Sequence, residues 1–504
     1  MNDKVTESVG RSITWSHGRS ITRSLVHCYI LLVILAGCVL FSCKDDNDVI
    51  STNSSIKLAF SKDTVRFDTV FTTIKTATKR ILIHNEDKNA INIESIQLMG
   101  GRGSFFRINV DGYSGDQTNV HLRGQDSMYM FVELTVDPQN RDNPVFIEDS
   151  IRFVTNGNTQ YLRLEAYGQD VYIWNKKTLA KDTTILGERP LLIYDTLTIG
   201  SQAHVTMNPG TKLFFHKGAS VYVKGQLSAV GSIDNPVVFR GDRTDRLFSD
   251  VLYDNGVTGQ WNGITVDSLS FNNVFENVRV RNSFHGILFK QSLPQQKKAT
   301  LTNVIVHNVN ENGVTATNCI IDFLNCQISN AKQMCVQLVG GQYTFLHCTI
   351  ANYFNAVNES RASGSKALYI SNIFNKSVLP LDRCDFTNCI ISGSNNSDVE
   401  LSNKLNGNAQ TPFNHLFTNC LIRVNGSDDQ NFVDTIWNKD PKFANLNTNG
   451  DYVYSFELDS TSVAVNAAAR AYSTSLLLDL KGVSRLSDDG PDIGCYEWKK
   501  KSTK

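Results

Sequence analysis

The sequence predicts an all-β protein in two parts, an antiparallel β-sandwich followed by a solenoid of parallel strands, a β-helix. Three observations predict it. Strand-length patches that alternate apolar and polar residues recur from Ile56 to about Asp170. A unit of the form Phe/Leu-x-Asn/His recurs from Phe275 to Asn419. After residue 45, no long run places apolar residues at i, i+3, i+4 and i+7 as an amphipathic helix would. Composition agrees: 33 glycines against 10 prolines, with 41% apolar and 19% charged residues, describe a globular chain of short strands and tight turns. The formal net charge of zero gives no electrostatic reason to expect a nucleic-acid partner.

The chain opens differently. From Tyr29 to Ser42 it reads YILLVILAGCVLFS, 14 uncharged residues. That length fits the apolar region of a signal peptide and falls short of the roughly 20 residues a spanning helix needs. Arg11, Arg19 and Arg23 supply the basic flank, and polarity switches at Cys43, which Lys44, Asp45 and Asp46 follow. Leu40-Phe41-Ser42-Cys43 resembles the lipobox of bacterial lipoproteins. The resemblance implies that residues 1–43 hold the signal peptide, that Cys43 is lipidated, and that outer-membrane lipid is a partner through the acylated Cys43. Leu35-Ala36-Gly37-Cys38 is a second such box; Cys43 is preferred because the change in polarity falls there. Cys-Lys-Asp-Asp resembles the surface-export signal of Bacteroidetes lipoproteins, which implies a lipid-anchored protein on the outer face of the outer membrane. Removing residues 1–43 takes four basic and two acidic residues from the 49 of each, leaving a slight acidic excess.

Residues 44–55 read as a tether and 56–170 as the sandwich. Ile91, Ile93 and Ile96-Leu98, like Met128, Met130 and Val132-Leu134, alternate as strands with one buried and one wet face do. Seven or eight strands in about 115 residues fit an immunoglobulin-like fold. The stretch TVFTTIKTATKRILIHNEDKNAINIESI resembles the N-terminal Ig-like modules of Bacteroidetes surface lipoproteins, which implies a spacing or packing role. Residues 171–190 read as a linker.

The β-helix is expected over 191–440. Asn277, Asn303, Asn325, His347, Asn388 and Asn419 occupy one position of the repeat, separated by 26, 22, 22, 41 and 31 residues. A unit near 22 residues with insertions is a solenoid signature. No LxxLxL frame is present, and each unit offers two or three short β-rich patches. Coils of parallel strands stack about 4.8 Å apart, so the Phe, the Cys/Val position and the following Ile would form inward ladders, with Asn at the turn. About 11 coils would make a rod of roughly 50 Å. The order of a Pro-Gly-Thr turn, VKGQLSAVG and NPVVF resembles the first coils of right-handed parallel β-helix repeat proteins. Asp479-x-x-Gly482-x-x-Arg485 and Asp492-Ile493-Gly494-Cys495-Tyr496-Glu497 resemble the closing region of surface β-helix proteins of the choice-of-anchor type. Cys495 replaces a usual small residue, and residues 441–504 are expected to cap the solenoid, whose strand edges must be covered.

Cys326, Cys348, Cys389 and Cys420 share a ladder position and read as small buried hydrophobes. No CxxC or Cys/His spacing points to zinc, so no metal and no cofactor is expected. Parallel β-helices include pectate lyases and polygalacturonases, which need clustered carboxylates on one groove. The acidic stretches DRTDR (242–246), GSDDQ (426–430) and SDDGPD (487–492) do not repeat at coil spacing and read as solvated turns. His285 and His347 read as turn or ladder residues. No catalytic residue is therefore assigned. The expected function is a noncatalytic surface lipoprotein whose rod binds extended glycans, polysaccharide or host cell-surface sugars, or acts as an adhesin. Trp261, Tyr343 and Tyr353 are the candidate stacking residues. A β-helix polysaccharide lyase or glycoside hydrolase is the alternative, and a purely structural spacer the third reading. Mass spectrometry of the mature N-terminus should find a diacylated or triacylated Cys43; an acylated Cys38 or an unmodified terminus would overturn that assignment.

Overall fold

The strands form where the alternation places them. The computed structural model describes residues 49–499 apart from 75, 77, 143, 249–250, 396, 405–410 and 448; Cys38, Cys43 and the start of the tether lie outside them. From Ala59 to Gln169 two five-stranded sheets face each other across one apolar core. Ser127–Leu134 shows why: Met128, Met130, Val132 and Leu134 point inward while Tyr129 is exposed. Pairing in this sandwich is antiparallel except between Thr64–Phe71 and Asn158–Gln169, which run parallel.

The rest of the chain winds into three long parallel sheets of eleven, nine and ten strands, each strand pairing with its counterpart one coil away. This is a right-handed parallel β-helix. It begins earlier than the sequence suggested. Residues 171–190, read as a linker, carry strands Tyr172–Asn175, Thr178–Leu179 and Thr183–Ile185, which pair in parallel with Leu191–Tyr194, Thr196–Ile199 and His204–Met207. The first coil hides from pattern reading because an end coil buries few side chains: Leu179 and Ile185 turn inward, while Tyr172 and Ile173 stay exposed.

Inside, the repeat becomes physical ladders. Phe323, Phe345, Phe386, Phe417 and Phe432 stack face to face, with centroids 4.3, 4.4, 4.7 and 4.8 Å apart and planes within 11°. The coil spacing sets that distance, so identical aromatic residues are the residues that fill it. All six members of the Asn position have φ between 50° and 58°. Asparagine tolerates this left-handed turn, and its amide then reaches the neighbouring coil: Asn303 Nδ2 donates to Asn277 Oδ1 (3.1 Å) and Asn325 Nδ2 to Asn303 Oδ1 (2.7 Å). A second ladder that the sequence reading missed runs through Asn282, Asn308 and Asn330 at φ 60°, 60° and 53°, with Asn308 Nδ2 donating to Asn282 Oδ1 (3.0 Å). Cys326, Cys348, Cys389 and Cys420 form the expected interior column; the backbone N–H of Cys326 donates to Cys348 Sγ and that of Cys348 to Cys389 Sγ, both at 3.4 Å.

The C-terminal region does not close the end of the rod, as expected for 441–504, but folds back along its flank. Phe443, Phe456, Leu458, Ala464, Ile493, Cys495 and Tyr496 pack on Ala351, Ile390 and Leu421. The reason lies in the eleven-stranded sheet: Gln327–Ala331 and Thr349–Asn352 are buried at every position, so both faces of these strands need cover. The end of the rod is closed instead by the last ladder rings. Trp437 packs on Phe432 (5.0 Å) and its Nε1 donates to Asp428 (2.9 Å), while Gly426 lies so close that a Cβ would meet the indole at 2.3 Å.

Two outcomes follow from the ladders. Cys319, Cys326, Cys335, Cys348, Cys384, Cys389, Cys420 and Cys495 are buried and unpaired, so thiol titration should find all eight unreactive in the native protein and reactive after non-reducing denaturation. A shortfall would mean a disulfide within the ladder. Phe345→Ala, which empties the centre of the ring stack, should cost about 3–5 kcal/mol in chemical denaturation; a loss under about 1 kcal/mol would contradict the packing described.

Candidate functional site

Alternation on the eleven-stranded sheet decides which side chains face outward. In Val278–Arg281 the valines are buried, so Arg279 and Arg281 project from the rod. Register continues each row: Arg279 aligns with Ile305 and then Gln327, Arg281 with His307 and then Ser329. The single helical turn Tyr253–Gly256 rises on one side, and the C-terminal region brings Tyr452, Val453, Tyr454 and Tyr496 to the other. Between them is a cleft of about 290 Å³ whose lining includes Arg279, Arg281, His307 and Gln327.

Its electrostatics are one-sided. Asp254 is buried and shared by two guanidiniums, Arg240 Nη2 at 3.1 Å and Arg281 Nη1 at 3.2 Å. Arg281 Nη2 also donates to Asn255 Oδ1 (3.4 Å). Arg279 has neither an ion pair nor a hydrogen bond to any described residue. Burial, aided by the charge on Arg281, pushes the His307 imidazole down to about 3, so it is neutral near pH 7. Gln327 Nε2 donates to Ser329 Oγ (2.8 Å), and Ser329 Oγ lies 2.9 Å from His307 Nδ1. The Ser329 hydroxyl thus bridges Gln327 and His307, with one hydrogen to donate and a second lone pair to accept. Tyr496 donates to Gln327 Oε1 (2.6 Å). Tyr454 packs edge-on to His307 at 5.9 Å, and its burial holds the phenol up at about 12. Tyr452 has φ 59°, a strained value for a bulky side chain, held by Asn447 Oδ1 accepting its N–H (2.7 Å).

This arrangement offers donors, positive charge and phenol rings. No carboxylate is among its lining residues, and His307 carries no charge near neutrality.

The candidate stacking residues fare differently. Trp261 and Tyr343 are fully buried and cannot meet a ligand. Trp261 stacks on Phe215 at 4.1 Å and donates Nε1 to Arg281 O (2.8 Å); the Tyr343 hydroxyl bonds the backbone of Ala316 and Cys319. Both sit at inward positions of their coils, where the core takes any ring the ladder can accept. Tyr353 is half-buried beneath the C-terminal region, edge-on to Phe443 at 6.0 Å, with its hydroxyl bonded to Ser392 (2.8 Å) and Arg423 (3.0 Å). The tyrosines of the cleft were missed because Tyr452 and Tyr454 join Arg279 only through the fold-back of the chain.

The acidic stretches are structural where described. Asp242 pairs with His216 (2.7 Å), Asp245 with Arg243 (2.6 Å) and Asp428 with Trp437. Among the described residues, no three His, Cys, Asp or Glu side chains gather in a way that could hold a metal ion. His285 lies 3.3 Å from the Thr265 hydroxyl, and His347 takes the Asn position, bonding Ser473 (2.8 Å) and Asn388 (3.0 Å).

The closing motif is a buried lock. Arg485 pairs with Glu497 and donates to Asn325 Oδ1 (2.6 Å), tying the C-terminal region to the asparagine ladder. Asp479 accepts the N–H groups of Lys481, Val483 and Glu497, and Asp492 those of Asn466 and Trp498. Burial raises Asp492 to about 6 and Glu497 to about 8 despite the neighbouring guanidinium.

Neither a protein-family model nor a curated protein matches the chain. Among solved structures, pectate lyase Pel9A is 13% identical, covering 62% of this chain and 89% of that one with a TM-score of 0.33. A family 123 glycoside hydrolase from Clostridium perfringens is 5% identical over 24% of this chain (TM-score 0.17), and a protein of unknown function from Porphyromonas gingivalis W83 is 10% identical over 24% (TM-score 0.17). The match spans 30% of the glycoside hydrolase and 59% of the Porphyromonas protein.

The lock carries a pH signature. Glu497 binds its proton more tightly folded than unfolded, so its stabilising contribution is complete below its ordinary value of 4.5 and fades as pH rises toward 8. Comparing thermal midpoints of wild type and Glu497→Gln between pH 5 and pH 8, the difference should move in favour of the variant as pH rises. A difference constant with pH would contradict a raised Glu497.

Proposed function

We propose that the chain is a noncatalytic, cell-surface lipoprotein that binds glycans on the flank of its β-helix. Acylated Cys43 anchors it in the outer membrane, the sandwich, read as Ig-like, spaces it from the surface, and the rod carries the site. The observation that supports this reading is the cleft over Arg279–Arg281: phenol rings beside hydrogen-bond donors, with no acid–base pair on the lining. Sugars present apolar ring faces edged by hydroxyls, and a tyrosine wall with guanidinium and amide donors beside a neutral imidazole is complementary to both. At about 290 Å³ the cleft falls just below the ~300–1,000 Å³ typical of ligand sites, which suits a chain end or short segment rather than a long strand laid along the rod.

A glycan array run beside reducing-sugar and unsaturated-product assays tests this. Binding without product release is expected, and Tyr452→Ala should weaken it by roughly tenfold or more, as removal of a central aromatic contact does. Product release from any polysaccharide would overturn the noncatalytic reading; silence in both assays would favour a spacer or protein adhesin.

A further inference from the structure

We infer that the sugar recognised in the cleft is acidic, its carboxylate or sulfate held by Arg279. The inference rests on the glycan-binding reading and names the substrate class. Its first support is an imbalance of charge on the cleft lining: Arg279 and Arg281 stand there with no carboxylate among the lining residues, and the two oxygens of Asp254 are taken by Arg240 and Arg281. Arg279 is left over. Arg279 lines the cleft without an ion pair or side-chain hydrogen bond to a described residue, so its guanidinium keeps its full set of donors for a ligand.

The second support is geometry. Arg279 and Arg281 are two residues apart on one strand and therefore project from the same face, with their Cα atoms roughly 7 Å apart. The Nε of Arg281 is buried without a partner in the protein. A carboxylate or sulfate in the cleft has the Arg279 fork open to it, and two oxygens of either group can take paired hydrogen bonds from a guanidinium. The third support is what stands beside it. His307 is neutral and adds no competing charge, and Tyr452 and Tyr454 supply faces for the ring that carries the acid. A neutral sugar would leave Arg279 desolvated with nothing to neutralise it, so the site discriminates against it.

The test uses the full mature chain and isothermal titration with three probes: uronic-acid tetrasaccharides, the same tetrasaccharides after carboxyl reduction, and a sulfated tetrasaccharide of neutral sugars. Carboxyl reduction should weaken binding by roughly ten- to a hundredfold, the scale of one charge-assisted contact. Affinity for the acidic probes should fall with added salt. Arg279→Gln should erase the preference with little change in the thermal midpoint, because the Arg279 side chain makes no ion pair or hydrogen bond to a described residue. Binding of the uronate alone or of the sulfated probe alone tells which acid is used. Equal affinity for the native and reduced forms, or a preference that survives Arg279→Gln, would overturn the inference and leave glycan binding standing. Absence of binding to all three would overturn both.

Discussion

Every coil of this protein must satisfy its neighbours about 4.8 Å above and below, and most of the structure follows from that one spacing. Parallel pairing fixes which residue meets which, so a side chain that fits once is repeated. The phenylalanine stack, the thiol column and the two asparagine ladders are consequences of one register. Asparagine holds the corner because it tolerates the left-handed conformation and gives a buried turn an amide with which to satisfy the adjacent coil. His347 shows that the position, not the residue, is required: with φ 50° it replaces the amide contact by bonding Asn388 on the next coil and Ser473 in the C-terminal region.

A second constraint comes from the eleven-stranded sheet, whose outer face changes along the rod. Early coils turn Phe214, Arg240, Arg279 and Arg281 outward, and late coils turn out Ala351, Ile390 and Leu421. The cover changes to match. Phe71 of the sandwich meets Phe214 at 4.8 Å, with Thr244 hydrogen-bonded to Thr69 O; the turn carrying Asp254 neutralises part of the arginine row; and the C-terminal region covers the apolar coils. The cleft lies where charge-matched cover ends and apolar cover begins, which is why arginine and tyrosine meet there.

The all-β class, the sandwich and the solenoid were legible because both signals are local: alternation within a strand and recurrence between coils. The thiol column was legible for the same reason. The first coil at 171–190 was not, since an end coil lacks a neighbour on one side and needs fewer apolar residues. The closing motif was visible as Asp479, Gly482, Arg485 and Glu497, but its target was not, because the contact of Arg485 with Asn325 joins residues 160 apart in the chain. The same distance hid the cleft. Trp261 and Tyr343 could be read equally as stacking rings or as core, since aromatic character alone does not reveal which face of a strand a residue occupies.

The central claim is that ligand recognition occurs where the C-terminal region folds back over Arg279 and Arg281, not on the open nine- and ten-stranded faces of the rod. Hydrogen exchange of the intact protein with and without a saturating uronic-acid tetrasaccharide tests it most directly. The account predicts slowed exchange confined to residues 451–455, 279–281 and the turn Tyr253–Gly256. Protection confined to Thr315, Gln337 and Tyr369 on the nine-stranded face, or to Thr300, Asp322 and Thr344 on the ten-stranded one, would contradict it.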